Sequence, residues 1–538
     1  MCVSKYIKVC LKLLSLTILT IILSARDDEY NSFTLIIVGA LIAICIWGIA
    51  LRCISDWKET VLARRRGEVF FISAIAAAIW LWNAIMFFLN INNDAIEKCW
   101  KVIVGYEKIY DRRIVFFFLF LVAFYGAFVI TRGIVCLCYR LIVYFVNICD
   151  RIDKVYLLVW ILVSMLLLVW VYRKSTAFYA GGLHNILYTF DSSVLYKRNV
   201  YMLIGQTEND IRQSLFAIAS LPISIPARML SRIMPFEYSY AFFLQLLQDV
   251  LLGIGNIIIV KMMKVSSNRK PAVLMFLSVM CETVLFSLLM EQYIILVFCL
   301  IITVYCIINR VGNREVCAVA SVGTAPTNFL LLFWEAKNRA SFVDFLLYGI
   351  KSFLIYVGVL TCFGQFGLVV HFYDNIMALM PYAKHVGLGE RIRQYLYFIR
   401  SCFFGPDSYT EIWNDLSVVR MSKVVGYSWI GIAVAVLVLL AIYINRRDLY
   451  GKICASWFLF SIVLLVVIGF NSSTNDYFLF VHYFGWAFAS LLLMGLSKIV
   501  KRDAVFNALI YALSGIMVVY NSIYFAKLIN FAIKNYAI

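Results

Sequence analysis

The chain has 538 residues, of which 63% are hydrophobic and only 14% are charged, and its formal net charge is +18. Soluble globular proteins have about 45–50% apolar and about 25% charged residues. The composition therefore excludes a soluble enzyme and predicts a protein embedded in a membrane. The positive charge does not indicate nucleic-acid binding, because the basic residues collect in short loops between apolar runs, as they do in cytoplasmic loops.

The apolar runs predict an all-α, polytopic helical bundle of about thirteen transmembrane helices, since about 20 apolar residues cross a bilayer. In chain order the expected spans are 8–25, 33–52, 69–90, 114–131, 155–171, 239–260, 271–289, 293–309, 342–368, 424–444, 453–470, 478–497 and 504–525.

Two further apolar stretches are not expected to cross. Residues 133–148 contain Arg140 and are interpreted as an amphipathic extension of the preceding helix. Residues 316–334 contain Gly323 and Pro326, which interrupt a helix and predict a re-entrant or interfacial segment.

The loop charges predict the orientation. With the N-terminus in the cytoplasm, the inner loops receive most of the Lys and Arg residues, including Arg64–Arg66 and Lys498–Arg502. The chain then divides into membrane helices over 1–171, a large extracytoplasmic loop over 172–238, and membrane helices over 239–538. We expect a multi-pass protein of a cell membrane with its functional site on the outer side.

One polar run stands out within the predicted outer loop. The sequence "YTFDSSVLYKRNVYMLIGQTENDIRQ", residues 188–213, places many ionisable groups together in an otherwise apolar chain. Asp191 and Asp210 have structural interpretations, as a solvated turn and a helix cap. They also predict a carboxylate pair that supplies a general base for an acceptor hydroxyl or holds Mg²⁺ or Mn²⁺ through oxygen ligands.

The apolar stretch "IRQSLFAIASLPISIP", residues 211–226, is too short to cross and predicts a helix that lies in the membrane interface. Pro222 and Pro226 are expected to bound it. Asn209 or Asp210 is expected at its start, where a short polar side chain accepts hydrogen bonds from free N–H groups.

The other polar residues of the predicted outer face are expected to bind substrate, because an arginine matches a phosphate through its planar fork. They come from the polar run, from the turn "EQY" and from the segment "NSSTNDYFLFVHYFGW". The expected substrate-binding residues are Lys197, Arg198, Glu208, Asn209, Arg212, Gln213, Glu291, Asn475, Asp476 and His482.

The patches "FDSSVLY", "ENDIRQSLFAIASLP", "EQY" and "FLFVHYFGWAF" resemble an uncharacterised bacterial membrane protein family grouped near the C-type glycosyltransferases. The resemblance covers about residues 170–500. It implies a bacterial inner-membrane enzyme that transfers sugar from a polyprenyl-phosphate donor to a glycan or lipid of the cell envelope, with Asp191 as catalytic base. The chain departs from the superfamily at Ser192 and Ser193, where an acidic residue commonly follows the first aspartate.

Two other classes of function fit the sequence. Asp249 and Glu282 lie within adjacent predicted spans, where ionisable residues mark ion and substrate pathways. A proton- or cation-coupled transporter or flippase is therefore one alternative, although the two halves of the sequence show no internal repeat. A surface-polysaccharide polymerase or ligase is the other, and its candidate residues are His371, His385, His482 and Arg391.

Overall fold

The structure is a computed structural model that describes residues 149–179, 186–188, 190, 192–197, 200–202, 213–310, 314–337, 341–362, 386–413, 415–424, 426–473 and 477–538. The four expected spans before residue 149 and the 133–148 segment lie outside these residues. Residues 151–352 and 359–538 form one compact unit, and this unit contains the elements that position the candidate site.

The unit is mainly helical. In chain order its helices are α1 (Arg151–Tyr172), α2 (Ser192–Lys197), α3 (Phe216–Ile233), α4 (Ser239–Met262), α5 (Lys270–Val279), α6 (Cys281–Leu288), α7 (Tyr293–Asn309), α8 (Arg314–Thr324), α9 (Leu330–Lys337), α10 (Phe342–Cys362), α11 (Leu388–Phe403), α12 (Trp429–Asn445), α13 (Leu449–Ile462), α14 (Val481–Ile499) and α15 (Asp503–Asn535). Short 3₁₀ turns cover Val200–Met202, Pro326–Phe329 and Tyr477–Phe480, and a π-helical segment, Val463–Ile468, continues α13.

An antiparallel hairpin interrupts the helical pattern. Strands β1 (Ser408–Trp413) and β2 (Leu416–Met421) pair in a register that joins Ser408 to Met421 and Trp413 to Leu416. The strands are rich in aromatic and β-branched residues, which favour extended backbone, and Asp415 takes the left-handed conformation in the turn (φ 62°). The all-α prediction therefore holds for the bundle and omits this hairpin.

Several helices have the length and apolarity that a membrane requires. Within the described ranges, five helices meet both requirements, or six if the bent pair α5–α6 counts as one. Large apolar side chains such as Leu166, Leu440 and Val519 are more than half exposed on the lateral faces of α1, α12 and α15. Such extensive exposed apolar surface is typical of a membrane-embedded protein. The prediction of thirteen spans is therefore not confirmed, because the described residues contain only five or six such helices.

The predicted span 271–289 is broken in the middle. Helices α5 and α6 meet at an angle of 60° because Met280 between them is extended (φ −57°, ψ 142°). The break frees carbonyl groups at the end of α5, and the Asn521 side chain donates to one of them, the Val279 oxygen, at 2.9 Å. No glycine or proline occurs between 272 and 288, so the sequence pattern did not predict this break.

A helix forms where the sequence predicts an interfacial one, but its ends differ from the prediction. Helix α3 covers Phe216–Ile233 and contains both Pro222 and Pro226, so the prediction that the prolines bound it is wrong. The residue before its first turn is Leu215, whose side chain makes no capping hydrogen bond. The helix therefore begins after Asn209 and Asp210, and the predicted capping role of those residues is also wrong.

The segment 316–334 is interrupted where the sequence predicts it. Helix α8 ends at Thr324, a 3₁₀ turn begins at Pro326, and α9 starts at Leu330. The Gly323 carbonyl accepts a hydrogen bond from the Leu215 N–H at 2.8 Å. Such a close approach requires glycine at position 323, because a Cβ there would lie 2.3 Å from the Leu215 side chain. This contact joins α8 to the start of α3.

The unit has two chemically different ends. At one, which we call the charged end, Asp153 contacts Lys261 and Lys270, and Arg269 contacts Asp503 at the start of α15. At the other, which we call the hairpin end, the last turn of α15 reaches the hairpin, because the Tyr536 hydroxyl donates to the Ser417 carbonyl at 2.5 Å.

Candidate functional site at the hairpin end

Many of the predicted site residues lie outside the described part of the chain. Both predicted carboxylates, Asp191 and Asp210, are among them, and so are Arg198, Glu208, Asn209, Arg212, Asn475, Asp476, His371 and His385. The structure describes Lys197, Gln213, Glu291, His482 and Arg391. It also describes Phe190 and Ser192, the buried neighbours of Asp191 in sequence.

The β-hairpin holds the chain just before Asp191. The Tyr188 N–H donates to the Val419 carbonyl, the Val419 N–H donates to the Ile186 carbonyl, and both distances are 2.8 Å. The Arg420 guanidinium donates to the Tyr188 carbonyl at 2.5 Å. Tyr188 itself has a left-handed backbone (φ 58°), which is uncommon for a bulky residue. Backbone bonds from strand β2 therefore fix this unusual turn.

Aromatic contacts join the same turn to three other segments. The Tyr188 hydroxyl lies 2.5 Å from the Tyr524 hydroxyl of α15, and the Tyr188 ring lies 5.0 Å from the Phe478 ring. Phe190 contacts the rings of Phe286 and Phe478 at 5.6 and 6.1 Å. Burial raises the pKa of the Tyr188 phenol, so this group remains a neutral hydrogen-bonding partner.

An electrostatic interaction links the loop with the "EQY" turn. Tyr201 is fully buried, and the carboxylate of Glu291 acts on it. Burial first, and then this carboxylate, raise the pKa of the Tyr201 phenol well above its ordinary value. Glu291 is only 1% exposed, and its Oε2 accepts from the Gln292 N–H at 3.3 Å. Glu291 therefore acts electrostatically on one residue of the 188–213 run, whereas Asp191 and Asp210, with which a shared pocket is predicted, lie outside the described residues.

From Tyr201 a line of polar side chains continues into α4. The Gln248 amide donates to the Tyr201 hydroxyl at 3.4 Å and to the Gln245 oxygen at 3.3 Å. The Gln245 amide in turn donates to Asp249 Oδ1 at 3.4 Å and to the Phe286 carbonyl at 2.8 Å. Asp249 is fully buried. Polar groups thus connect the loop with the interior of a helix that is apolar enough to cross a membrane.

Glu282 and His482 form a separate buried pair. Glu282 lies in the first turn of α6, directly after the break, and His482 lies at the start of α14. The Glu282 Oε2 atom is 4.0 Å from His482 Nδ1. Beside them is a cavity of about 20 Å³ that is also lined by Asn256, Thr283 and Trp486. Asp249 does not line this cavity, so the two buried acids of the transporter hypothesis belong to different polar groups.

The remaining described candidates have varied environments. Lys197 is exposed at the end of α2, and Gln213 is half-buried before α3. Arg391 donates to the carbonyls of Val466 and Val467, each at 2.6 Å. These are carbonyls of the π-helical segment, so Arg391 stabilises the end of α13 as well as being a candidate ligase residue.

The sequence interpretation missed Tyr188, Tyr201, Gln245 and Gln248. A signal for the two glutamines was present, because Gln245, Gln248 and Asp249 recur at three- and four-residue spacing and so share one face of an apolar helix. The tyrosines gave no such signal, since they are two of 33 in the chain.

No family model, curated protein or solved structure matches this chain. Within the described residues, no three His, Cys, Asp or Glu side chains come close enough together to hold a metal ion. Both predicted metal ligands, Asp191 and Asp210, lie outside those residues.

Proposed function

We propose that this protein is a membrane glycosyltransferase that works at its hairpin end, on the outer side of a cell membrane. The observation that carries the proposal is the convergence of separate segments around residues 186–202. The β-hairpin, the segment at Phe478 and Tyr524 of α15 all contact this short stretch, and the carboxylate of Glu291 acts on Tyr201 within it. Such convergence gives a loop the rigidity that a catalytic group needs.

The chemistry follows from the charges available in this loop. An acceptor hydroxyl needs a general base, and we assign that role to Asp191, with Asp210 as a second carboxylate or a partner in holding Mg²⁺ or Mn²⁺. A lipid-phosphate leaving group develops negative charge, which cationic side chains stabilise. Lys197, Arg198 and Arg212 are the proposed cations, and Glu291 and His482 belong to the proposed substrate-binding set.

The donor is a polyprenyl-phosphate-linked sugar, and the acceptor is a glycan or lipid of the cell envelope. Helix α3 favours a lipid-linked donor, because Met229 and Ile233 on this helix are about half or more exposed. An amphipathic helix with such a face lies in the membrane interface, where the phosphate of a lipid carrier is also found.

A coupled transporter is a second candidate, and a specific observation favours it. Asp249 and Glu282 are almost completely buried in helices that can cross a membrane, and α5–α6 is broken beside Glu282. Broken membrane helices with ionisable residues are common where transporters bind ions.

One set of substitutions separates the two candidates. In a glycosyltransferase, Asp191→Asn removes the base while keeping size, so we expect a loss of envelope glycan modification of about 10²–10⁴-fold, the usual contribution of general-base catalysis. The paired variant Asp249→Asn/Glu282→Gln should retain activity in proportion to its abundance. Glycan composition, measured by mass spectrometry in cells with equal amounts of each variant, reads out the difference.

The opposite pattern would favour the transporter: activity would survive Asp191→Asn and disappear with the buried pair. Equal protein amounts must be verified in the membrane fraction, since a buried polar group without a partner costs about 1–3 kcal/mol and lowers abundance by itself. A topology reporter at position 205 that reads as cytoplasmic would contradict the glycosyltransferase, because the proposed donor is used outside.

A further inference from the structure

We propose that Glu282 and His482 form a proton-binding site, in which the two side chains and one water molecule between them hold a single exchangeable proton inside the bundle. The proposal is independent of the catalytic roles given to Asp191 and Asp210, and it gives His482 a role other than substrate binding.

The fold makes a specific place for the Glu282 carboxylate. The break at Met280 starts a new helix at Cys281, so the side chain of Glu282 leaves the first turn of α6 toward α14. There it meets Gly485, where an added Cβ would lie 2.1 Å from Glu282 Oε2. Gly485 follows His482 by three residues, so both lie on the same face of α14. A glycine therefore admits the carboxylate next to the imidazole.

The two polar atoms are close but do not bond directly. Glu282 Oε2 and His482 Nδ1 are 4.0 Å apart, which is beyond the usual hydrogen-bond range. Glu282 is 2% exposed and His482 is 4% exposed. Neither atom has a hydrogen-bond partner in the part of the chain that the structure describes. Each atom offers almost no surface to a water molecule as the side chains stand, so a shared water requires a small rotation of one side chain toward the adjoining cavity.

The adjoining cavity has room for that water. Its volume of about 20 Å³ exceeds the roughly 10–15 Å³ that one water molecule needs, and a buried water needs two to four polar partners. Glu282 and His482 supply two, and Asn256 and Thr283 line the same cavity. The His482 ring is held in place by stacking on Phe286 at 5.0 Å.

Charge decides how many protons the pair holds. A lone carboxylate or a lone imidazolium is very costly in an apolar interior, so the neutral combination with one proton is favoured. That proton is either on the carboxyl group beside a neutral imidazole or on the imidazole beside a carboxylate. It comes from bulk water when an O–H or N–H bond of the pair forms, and it returns there when that bond breaks; no other covalent bond of the chain changes.

Apart from Glu282 and His482, the residues that line the cavity are uncharged, so none of them neutralises the Glu282 carboxylate in place of this proton. Helix α7 contributes only apolar residues to the cavity, and α4 contributes the neutral Asn256. Among the described residues, the Glu282 carboxylate acts on two thiols, those of Cys281 and Cys402, and Arg400 acts on Cys281. A thiol ordinarily has a pKa of about 8.5, so the thiols stay protonated below pH 8.

The test is the pH dependence of stability between pH 5.5 and 8, measured by equilibrium unfolding of the purified full-length protein in mixed detergent micelles. In an unfolded chain glutamate has a pKa of about 4.3 and histidine of about 6.5. The unfolded protein therefore releases the proton above pH 6.5 while the folded protein keeps it. Stability should fall as pH rises from 6.5 to 8, with the unfolding constant increasing about tenfold per pH unit at most.

Glu282→Gln/His482→Gln is the control that removes the site and keeps side-chain volume, and every slope is compared with this control. Glu282→Gln alone leaves a neutral buried histidine, so its stability should instead fall as pH decreases below 6.5. His482→Gln alone leaves a protonated carboxyl group, and its stability should fall with rising pH over the whole range. Each single variant carries the test alone if the double variant does not fold.

A wild-type slope equal to that of the double variant would overturn the proposal. So would a Glu282→Gln slope with the same sign as the wild type. These outcomes leave the glycosyltransferase proposal untouched, because that proposal is tested through Asp191.

Discussion

Two buried carboxylates at different depths of the bundle have opposite surroundings. Asp153 at the charged end is fully buried, and the ammonium groups of Lys261 and Lys270 lie 3.3 and 3.2 Å from its oxygens. Glu282 at the helix break is 2% exposed, and its Oε2 atom lies 4.0 Å from the His482 imidazole. The two carboxylates are therefore similarly buried, but two cations lie beside Asp153 whereas an imidazole lies 4.0 Å from Glu282.

The difference teaches how to separate structural from functional acids in an apolar chain. Two nearby cations offset the charge of a buried carboxylate. If that carboxylate is removed, the cations keep the cost of their desolvation but lose its attraction. A buried carboxylate with an incomplete set of partners costs free energy in the folded state, and such costs collect at functional sites. Burial alone, which both acids share, does not distinguish them.

The largest expected effect is at the compensated acid. Asp153→Asn keeps the size of the side chain but removes the negative charge that lies 3.3 and 3.2 Å from the ammonium groups of Lys261 and Lys270. Removing one partner from a buried ion pair costs about 3–5 kcal/mol, so we expect the free energy of unfolding to fall by about that amount. Equilibrium unfolding in mixed micelles measures it.

The control for this prediction is a double-mutant cycle. Lys270→Met in the Asp153→Asn background removes one of the two cations that lose the Asp153 carboxylate, so it should restore part of the lost stability. A loss below about 1 kcal/mol in Asp153→Asn would contradict the interpretation, since exposed ion pairs have effects of that size.

An intermediate effect is expected at Gly485, which leaves space for the Glu282 carboxylate. Gly485→Ala places a Cβ 2.1 Å from the carboxylate, and inserting atoms into a packed interior costs about 1–3 kcal/mol. Gly515→Ala is the matched control, because an added Cβ there meets nothing within 4 Å. That control should be neutral or stabilising by about 0.5–1 kcal/mol, as alanine favours a helix over glycine.

Combining Gly485→Ala with Glu282→Ala tests the cause of the effect. The shorter side chain removes the clash, so the pair of changes should cost less than the sum of the two single changes. Strict additivity would mean that Gly485 does not act through Glu282.

The apolar pattern predicted individual helices well where it had clear ends. The span 293–309 was expected, and α7 covers Tyr293–Asn309, because polar residues precede the run and Arg310 ends it in a left-handed conformation (φ 55°). The span 504–525 was too short. Helix α15 continues to Asn535 since tertiary contacts beyond the apolar run, such as Tyr536 with Ser417, hold its end.

Features fixed by distant contacts could not be predicted in this way. The break at Met280 depends on Asn521 and Gly485, more than 200 positions later in the chain. For the site, the sequence identified Asp249 and Glu282 as acids within apolar helices, and both are buried. The predicted carboxylate pair, Asp191 and Asp210, lies outside the described residues. It did not predict that His482 faces Glu282, because periodicity within one helix contains no information about its partner across the bundle.

The smallest effect is expected at a third acid that has a partner but is exposed. Glu411 on strand β1 lies 3.2 Å from the Arg420 guanidinium, and its side chain is 36% exposed. Water already solvates this carboxylate, so Glu411→Gln should cost no more than about 1 kcal/mol, and the cost should shrink further in high salt. Arg420→Gln is the informative companion, because Arg420 also donates to the Tyr188 carbonyl. If the pair matters only as a surface ion pair, both changes have the same small effect; if Arg420 holds the turn before Asp191, its change costs more and is insensitive to salt.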